Sequence, residues 1–557
     1  MKMKRAFVLL LALIMVLTMT SVSALAEYDT ENVHFGGVYP IVDDASTVTP
    51  LKVAVKVNPS DCLVDVKDSA QVRWAYEQTG VPIEWIEIDG ASWNEQINLM
   101  IVSNDLPDIF WHSIGDSTLA QYQNEDIFVA IDEYLDYAPN ISAAFEANPE
   151  YKALSTAADG HIYGLPYVEE LNGLSLTGGA VMINKNWLDQ LGLEVPTTTD
   201  ELYEVLCAFA AADDLNGNGE DDEIPLAINF VDYNTRATHC PFFLLNACFG
   251  THLTAGDSYP FMNAEDGQIT FGANTEAFKK NLQYFANLYK AGVISDNAVT
   301  DYNYENDLKG DDAIYGVIAA WSWDESRVYN KEVRDQYVVM GPVYGPDGDM
   351  WNNVDNRTEM NSASYGCITT ACEQIEMAVA WMDFFSTPEA AITTNWGAEG
   401  YVYERNKDGY LSMAVDENGN KVTGGYESSS ILRWTSSPLS QGPYMVLSEY
   451  LGVYGDGDLG AVSPLENQKI NGKEQMLEEV TGIPPTLALT SDEQNAYAQV
   501  QPAVENLVKA YIVSCIVDDN VDETWDEYCA NLEAAGLETM LSSVQGAYNR
   551  YLATMAE

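Results

Sequence analysis

The stretch between residues 51 and 111 constrains the fold more than any other. LKVAVKV (51–57) alternates as a half-buried strand does. A helical pattern near 68–79 follows, then PIEWIEI (82–88), alternating again. A second helical pattern opens at about Trp93, and DLPDIFW (105–111) supplies a third strand. Strands separated by helices point to an α/β sheet that is largely parallel. Ligands of such sheets sit beyond the C-terminal strand ends, which draws attention to the turn after DIFW.

One sheet of this kind does not use up the chain. At 557 residues it exceeds what a single core usually holds, so two domains or lobes are expected. The formal net charge of -59 argues against phosphate backbones and anionic membranes as partners, so no nucleic acid is expected. The first 26 residues combine Lys2, Lys4 and Arg5, an apolar run from Phe7 to Leu17 and the small-x-small site Ala24-Leu25-Ala26. This pattern reads as a signal peptide rather than an anchor. No Cys lies near the cleavage site, so an attached lipid on a first mature Cys is not supported. The protein is expected to be exported: extracellular, cell-surface or periplasmic.

Eight Cys are too sparse for a disulfide-stapled fold of this length. Cys207, Cys515 and Cys529 fall in helical patterns, where buried free thiols are usual. No Cys-x-x-Cys, H-E-x-x-H, G-x-S-x-G or Walker phosphate loop is present.

A well-marked helix opens at PTTTDELYEVLCAF. Thr198 and Glu201 have capping-box spacing, and Leu202, Val205, Leu206 and Phe209 share one face. Thr524 and Glu527 show the same spacing ahead of a Trp525, Tyr528, Leu532 stripe. The first helix runs into DDLNGNGEDDEIP (213–225), a stretch crowded with oxygen donors. Asp214, Asn216 and Asn218 occupy loop positions 1, 3 and 5, with Gly219 at the sharp turn. Glu220 offers its carbonyl, Asp222 takes position 9, and Glu223 at 10 closes the shell. Pro225 stands where an EF-hand needs its Glu, so a helix-flanked EF-hand is not expected. Calcium in a structural role suits this donor set better than magnesium; the bland alternative is a solvated acidic turn.

At this point the sequence resembles a known family. MINKNWLDQLGLEVPTTTDELYEVLCAF with DLNGNGEDDEIP is similar to the extracellular solute-binding proteins of ABC importers, family 1, especially large lipoprotein-type members with oligosaccharide ligands. NDLPDIFW, DGHIYGLPY (159–167), IYGVIAAWSWD (314–324), AVAWMDFFSTPEAAITTNWGAEGYVYE (378–404) and TWDEYCANLEAAGLE continue the likeness along the mature chain. The resemblance implies a type II periplasmic-binding-protein-like α/β fold, with two lobes, a hinge and an interlobe ligand cleft. It also implies a calcium loop built from the six residues named above. Many relatives carry a lipidated Cys that is missing here, which leaves tethering open.

On this reading residues 27–48 form a flexible N-terminal segment. Residues 49–167 and 361–400 make lobe 1, and 168–360 and 401–557 make lobe 2 with C-terminal helices. Sugar binding asks for aromatic faces and a few polar groups. The ligand-binding candidates are Trp111, His112, Tyr167, Trp321, Trp323, Trp396, Glu399, Arg433 and Trp434. Trp93, Trp187, Trp381 and Trp525 lie on helical patterns and are expected in the core. The expected function is capture of an oligosaccharide by a monomer and delivery to ABC importer permease subunits. A ligand sensor uncoupled from import, or a secreted glycoside hydrolase working through a carboxylate pair, are the alternatives.

Overall fold

The computed structural model describes residues 31–556 except 124, 171–179, 231–239, 254–258, 301–306, 309, 321–327, 329, 352–359, 361–363, 406–410, 416–421, 427–428, 448, 451–481 and 483. The leader read at 1–26 therefore lies outside the described residues.

The first part of the chain gives β1 (Leu51–Val57), α1 (Ala70–Thr79), β2 (Ile83–Asp89), α2 (Trp93–Ser103), β3 (Ile109–Trp111), α3 (Asp116–Tyr122), α4 (Pro139–Ala147), α5 (Pro149–Ser155) and the short β4 (Tyr167–Glu169). Ser69 caps α1 by accepting from the Val72 amide, and Gly80 ends it in the left-handed region. Next come β5 (Ala180–Asn184), α6 (Lys185–Leu191), α7 (Thr199–Ala210), β6 (Ile224–Leu226), α8 (Pro241–Asn246), the hairpin β7 (Met262–Glu265) and β8 (Gln268–Phe271), α9 (Glu276–Lys290), β9 (Tyr315–Ala320), α10 (Lys331–Arg334) and β10 (Tyr337–Val339). The chain then adds β11 (Cys367–Ile368), α11 (Ile375–Phe384), α12 (Pro388–Trp396), the hairpin β12 (Tyr403–Arg405) and β13 (Leu411–Met413), α13 (Ser429–Ser436) and β14 (Tyr444–Val446). Three helices close it: α14 (Ser491–Asp518), α15 (Val521–Ala535) and α16 (Leu537–Met555).

Two four-stranded sheets organise these elements into a two-lobed α/β fold. Lobe 1 has strand order β11-β3-β1-β2, with β1, β2 and β3 parallel and β11 antiparallel. Lobe 2 has order β10-β5-β9-β6, a mixed sheet in which β5 opposes both neighbours and β6 runs parallel to β9. Both faces of the lobe 1 sheet are covered, and β1 is buried from Val53 to Val55. Three backbone passages lie side by side between the lobes. β4 pairs in parallel with β14, and Val168 bridges Met360.

Two expectations about lobe membership need correction. Residues 31–48 are not a loose leader, because Val33, Ile41 and Val42 are buried and Val42 donates to the Thr79 carbonyl at 3.0 Å. Residues 435–439 were placed in lobe 2 but pack on lobe 1. The Leu63 amide donates to Thr435, and the Leu439 amide donates to Gln71 at the root of α1.

The capping signal was read correctly at one helix and missed at another. Thr198 accepts from the Glu201 amide at the start of α7. Thr524, however, lies inside α15, which starts at Val521, and its hydroxyl donates back to the Asn520 carbonyl. The full capping box is Thr490 with Glu493, at the head of α14. That helix is 28 residues long and its second half is apolar. Val504, Val508, Ile512, Cys515 and Ile516 are buried, as in the core helix of a folded protein. All eight Cys are free thiols.

Candidate functional site

β1, β2 and β3 are parallel, so their C-terminal ends share one edge of lobe 1. The antiparallel β11 enters at the same edge through Ser364, Tyr365 and Gly366. His112 is the first residue past β3. Its ring stands edge-on to Trp93 at 5.4 Å and to Tyr365 at 5.2 Å between centroids. Its Nε2 lies 3.2 Å from Lys56 Nζ at the end of β1. Burial lowers the Lys56 pKa from its ordinary value.

From Tyr365 the aromatic path reaches the interlobe passages. Tyr167 on β4 lies 5.7 Å from Tyr365 and 4.8 Å from Tyr444 on β14. The Tyr167 hydroxyl donates to Glu169 at 2.5 Å. Burial first, and the Glu169 carboxylate second, raise the Tyr167 and Tyr444 phenols well above their usual range. Glu169 also accepts from the Asn395 amide near the end of α12. Arg433 donates from Nη2 to the Asn395 side-chain oxygen at 2.5 Å and from Nε to its main-chain carbonyl. Its guanidinium sits 5.1 Å from the ring centre of Trp434. Trp434, Lys56, Asn58, Asp61, Cys62 and Pro438 line a small cavity of about 100 Å³ beyond β1. The result is a partly buried edge of rings, hydroxyls, two carboxylates and two cations, joined by hydrogen bonds. Such a surface stacks on an apolar ring face and addresses hydroxyls around it.

The sequence candidates separate clearly. His112, Tyr167, Arg433 and Trp434 fall on this edge. Trp111 does not, and its candidacy is corrected: it is 0% exposed. Phe110 points into one layer of lobe 1 and Trp111 into the other, against Trp381 at 4.9 Å and Phe385 at 4.7 Å. Its indole donates to the Leu439 carbonyl at 3.0 Å. Trp396 is half-buried against the core, and Glu399 is exposed and paired with Arg405 at 3.2 Å. Trp321 and Trp323 lie outside the described residues. Trp93, Trp187, Trp381 and Trp525 are buried. Lys56, Glu169, Tyr365, Asn395 and Tyr444 were missed. Glu169 had a signal, since residues two apart on a strand share a face with Tyr167. Lys56 looked like the solvent side of an alternating strand.

The acidic loop is ordered by its own donors. The Gly219 amide donates to Asp214 at 3.0 Å, the Asn216 amide to Glu223 at 2.9 Å, and the Glu220 amide to Asn218 at 2.7 Å. The Asn216 and Asn218 NH₂ groups both donate to Asp222. Asp214, Gly217 and Gly219 have positive φ, which winds the loop tightly. Among the described residues no group of three His, Cys or acidic side chains is gathered closely enough to hold a metal. Glu223 Oε2, however, is buried with no hydrogen-bond partner. That orphaned oxygen and the all-oxygen donor set fit a hard cation. Gln190 ties the loop to α6 through the Leu215 carbonyl at 2.9 Å.

The family described as bacterial extracellular solute-binding protein matches residues 66–220. The chain is 29% identical over 497 residues to the fructooligosaccharide ABC transporter substrate-binding protein FusA of Streptococcus pneumoniae, covering 86% of both chains. The structure of FusA in complex with kestose superposes with a TM-score of 0.72 at 27% identity, over 91% of this chain and all of that one. In sequence and in fold the chain is similar to the extracellular solute-binding proteins of ABC transporters. These relatives are substrate-binding proteins and not enzymes, in keeping with a carrier. A solute-binding protein of Bifidobacterium longum infantis described as HMO binding and ABC-transporter associated shares the fold, with a TM-score of 0.74 at 23% identity over 90% of this chain and 99% of that one. A FusA variant described as an EF-hand mutant also superposes, at 0.70 and 26% identity, over 91% of this chain and all of that one.

Proposed function

We propose that this solute-binding protein captures an oligosaccharide between its lobes and hands it to the permease subunits of an ABC importer. The carrying observation is the edge formed by Lys56, His112, Tyr365, Tyr167, Glu169, Arg433 and Trp434. It sits where ligands of parallel sheets sit and beside the three passages that let two lobes close. FusA, named for fructooligosaccharides and solved with kestose, supports the ligand class. The ligand-binding roles read from the sequence for Trp321, Trp323 and Trp396 belong to the same proposal. The protein works as a monomer, exported through the leader at 1–26 and without a lipid-bearing Cys. Calcium belongs in the loop of Asp214, Asn216, Asn218, Glu220, Asp222 and Glu223, where it would neutralise the carboxylates and fix the turn between α7 and β6. That a FusA structure is described as an EF-hand mutant supports a cation-binding loop in a relative.

Calorimetry with kestose, longer fructooligosaccharides and acidic uronate oligosaccharides tests the reading. Saturable binding without product is expected, and Trp434→Ala should weaken it roughly tenfold or more with the ligand-free melting point nearly unchanged. Turnover of any of these glycans, or no binding across the whole set, overturns it.

A further inference from the structure

Two cavities lie side by side where lobe 1 meets the C-terminal helices. One, of about 320 Å³, is walled by α3, the end of α5, Tyr259 and the strand of chain 486–489 that leads into α14. The other, of about 280 Å³, lies between residues 153–160 and α16. Leu154, Thr156, Ala157, Thr486, Leu487 and Ala488 border both. A seam with that much open volume is not packed as protein interiors are.

The same helices meet lobe 2 quite differently. Trp525 and Tyr528 pack on Phe278, and Tyr511 stacks on Tyr528 at 3.8 Å. The Tyr528 hydroxyl donates to the Ala273 carbonyl at 2.9 Å. Gln545 holds the Ile269 amide and the Gly267 carbonyl of the β7–β8 hairpin. Asp522 receives Lys279, and Asp519 receives Lys290. Toward lobe 1 two side-chain bonds stand out among the described residues. Ser491 donates to the Ala120 carbonyl at 2.6 Å, and Tyr551 donates to Glu150 at the head of α5 at 2.6 Å. Arg550, next to Tyr551, binds Glu493 and the Ala488 carbonyl, which ties the chain at 488–493 to α16.

We propose that α14, α15 and α16 travel with lobe 2 and grip lobe 1 through a releasable latch, the Tyr551–Glu150 hydrogen bond. Hinge closure needs one boundary that slides and one that does not. The aromatic seam on α9 is the fixed boundary, and the cavity-lined seam on α5 is the sliding one. The latch governs how often the sliding boundary opens.

Hydrogen exchange on the ligand-free full chain tests this, and its outcome does not depend on which sugar the cleft takes. Tyr551→Phe removes the donor, and Glu150→Ala removes the acceptor from a half-exposed position that folding tolerates. Both should speed exchange in 153–158 and 486–490 roughly tenfold, the scale of one net hydrogen bond, and leave α9 and α15 unchanged. Glu150→Gln keeps an acceptor oxygen and should exchange close to the unaltered protein. Tyr528→Phe, in the fixed seam, should leave 153–158 unchanged. Unaltered rates at 153–158 in both latch variants, or equal acceleration in α9, overturn the latch.

Discussion

At the scale of single residues, Trp111 and His112 show how one step along a strand separates core from site. Trp111 ends in a layer with Trp381 and Phe385, while His112 clears the sheet edge and meets Lys56. Alternation shows that neighbours face opposite ways. It does not show which way is outside when both faces of the sheet are covered. Trp111→Ala should therefore lower unfolding free energy by about 3–5 kcal/mol in urea titration, the usual loss for a buried aromatic. The folded fraction should bind sugar as before, and a stability loss below about 1 kcal/mol would contradict core placement. Asp383 was invisible in the sequence as anything but another acid. It accepts from the Asn140 side chain at 2.6 Å and the Ile141 amide at 2.9 Å, capping α4 from α11. Burial pushes its pKa up to about 6, against the pull of these donors. The native state therefore holds this proton more tightly than the unfolded chain does. Its contribution is fully present below about pH 4 and falls as pH rises toward about 6, by up to about 3 kcal/mol. The difference in stability between the unaltered protein and Asp383→Asn should follow that slope across pH 4–6, and a flat difference would show that the carboxyl titrates normally.

At the scale of elements, caps and loops were legible where their chemistry is local. The Thr198 cap and the loop after α7 could both be read from residues within a few positions of each other. The start of α15 could not, since Thr524 offers cap spacing but is overtaken by a helix that begins three residues earlier at Val521. The loop carries Asp214, Glu220, Asp222 and Glu223 in one tight turn, and like charges at such spacing destabilise it unless countered. Asp222→Asn and Glu223→Gln keep shape and remove charge. Calcium is expected to raise the melting point of the unaltered protein; each variant should abolish most of that gain, while melting in chelator stays the same or rises. Equal melting shifts with calcium and with chelator would mean the turn is held by its amides alone.

At the scale of the molecule, the parallel strands of lobe 1 and the presence of a second lobe were legible from pattern and length. The return of residues 435–439 to lobe 1 was not, because no local pattern records a contact between Trp111 and Leu439, 328 positions apart. Lobe 1 takes its fourth strand from β11 and its capping layer from beyond residue 430, after the chain has already passed through lobe 2. Neither sheet edge nor tryptophan layer can therefore be finished until the chain has run past residue 439. Contacts of such sequence separation form slowly, since the intervening loop must close first. The first lobe therefore stays unlocked until most of the chain is available to it.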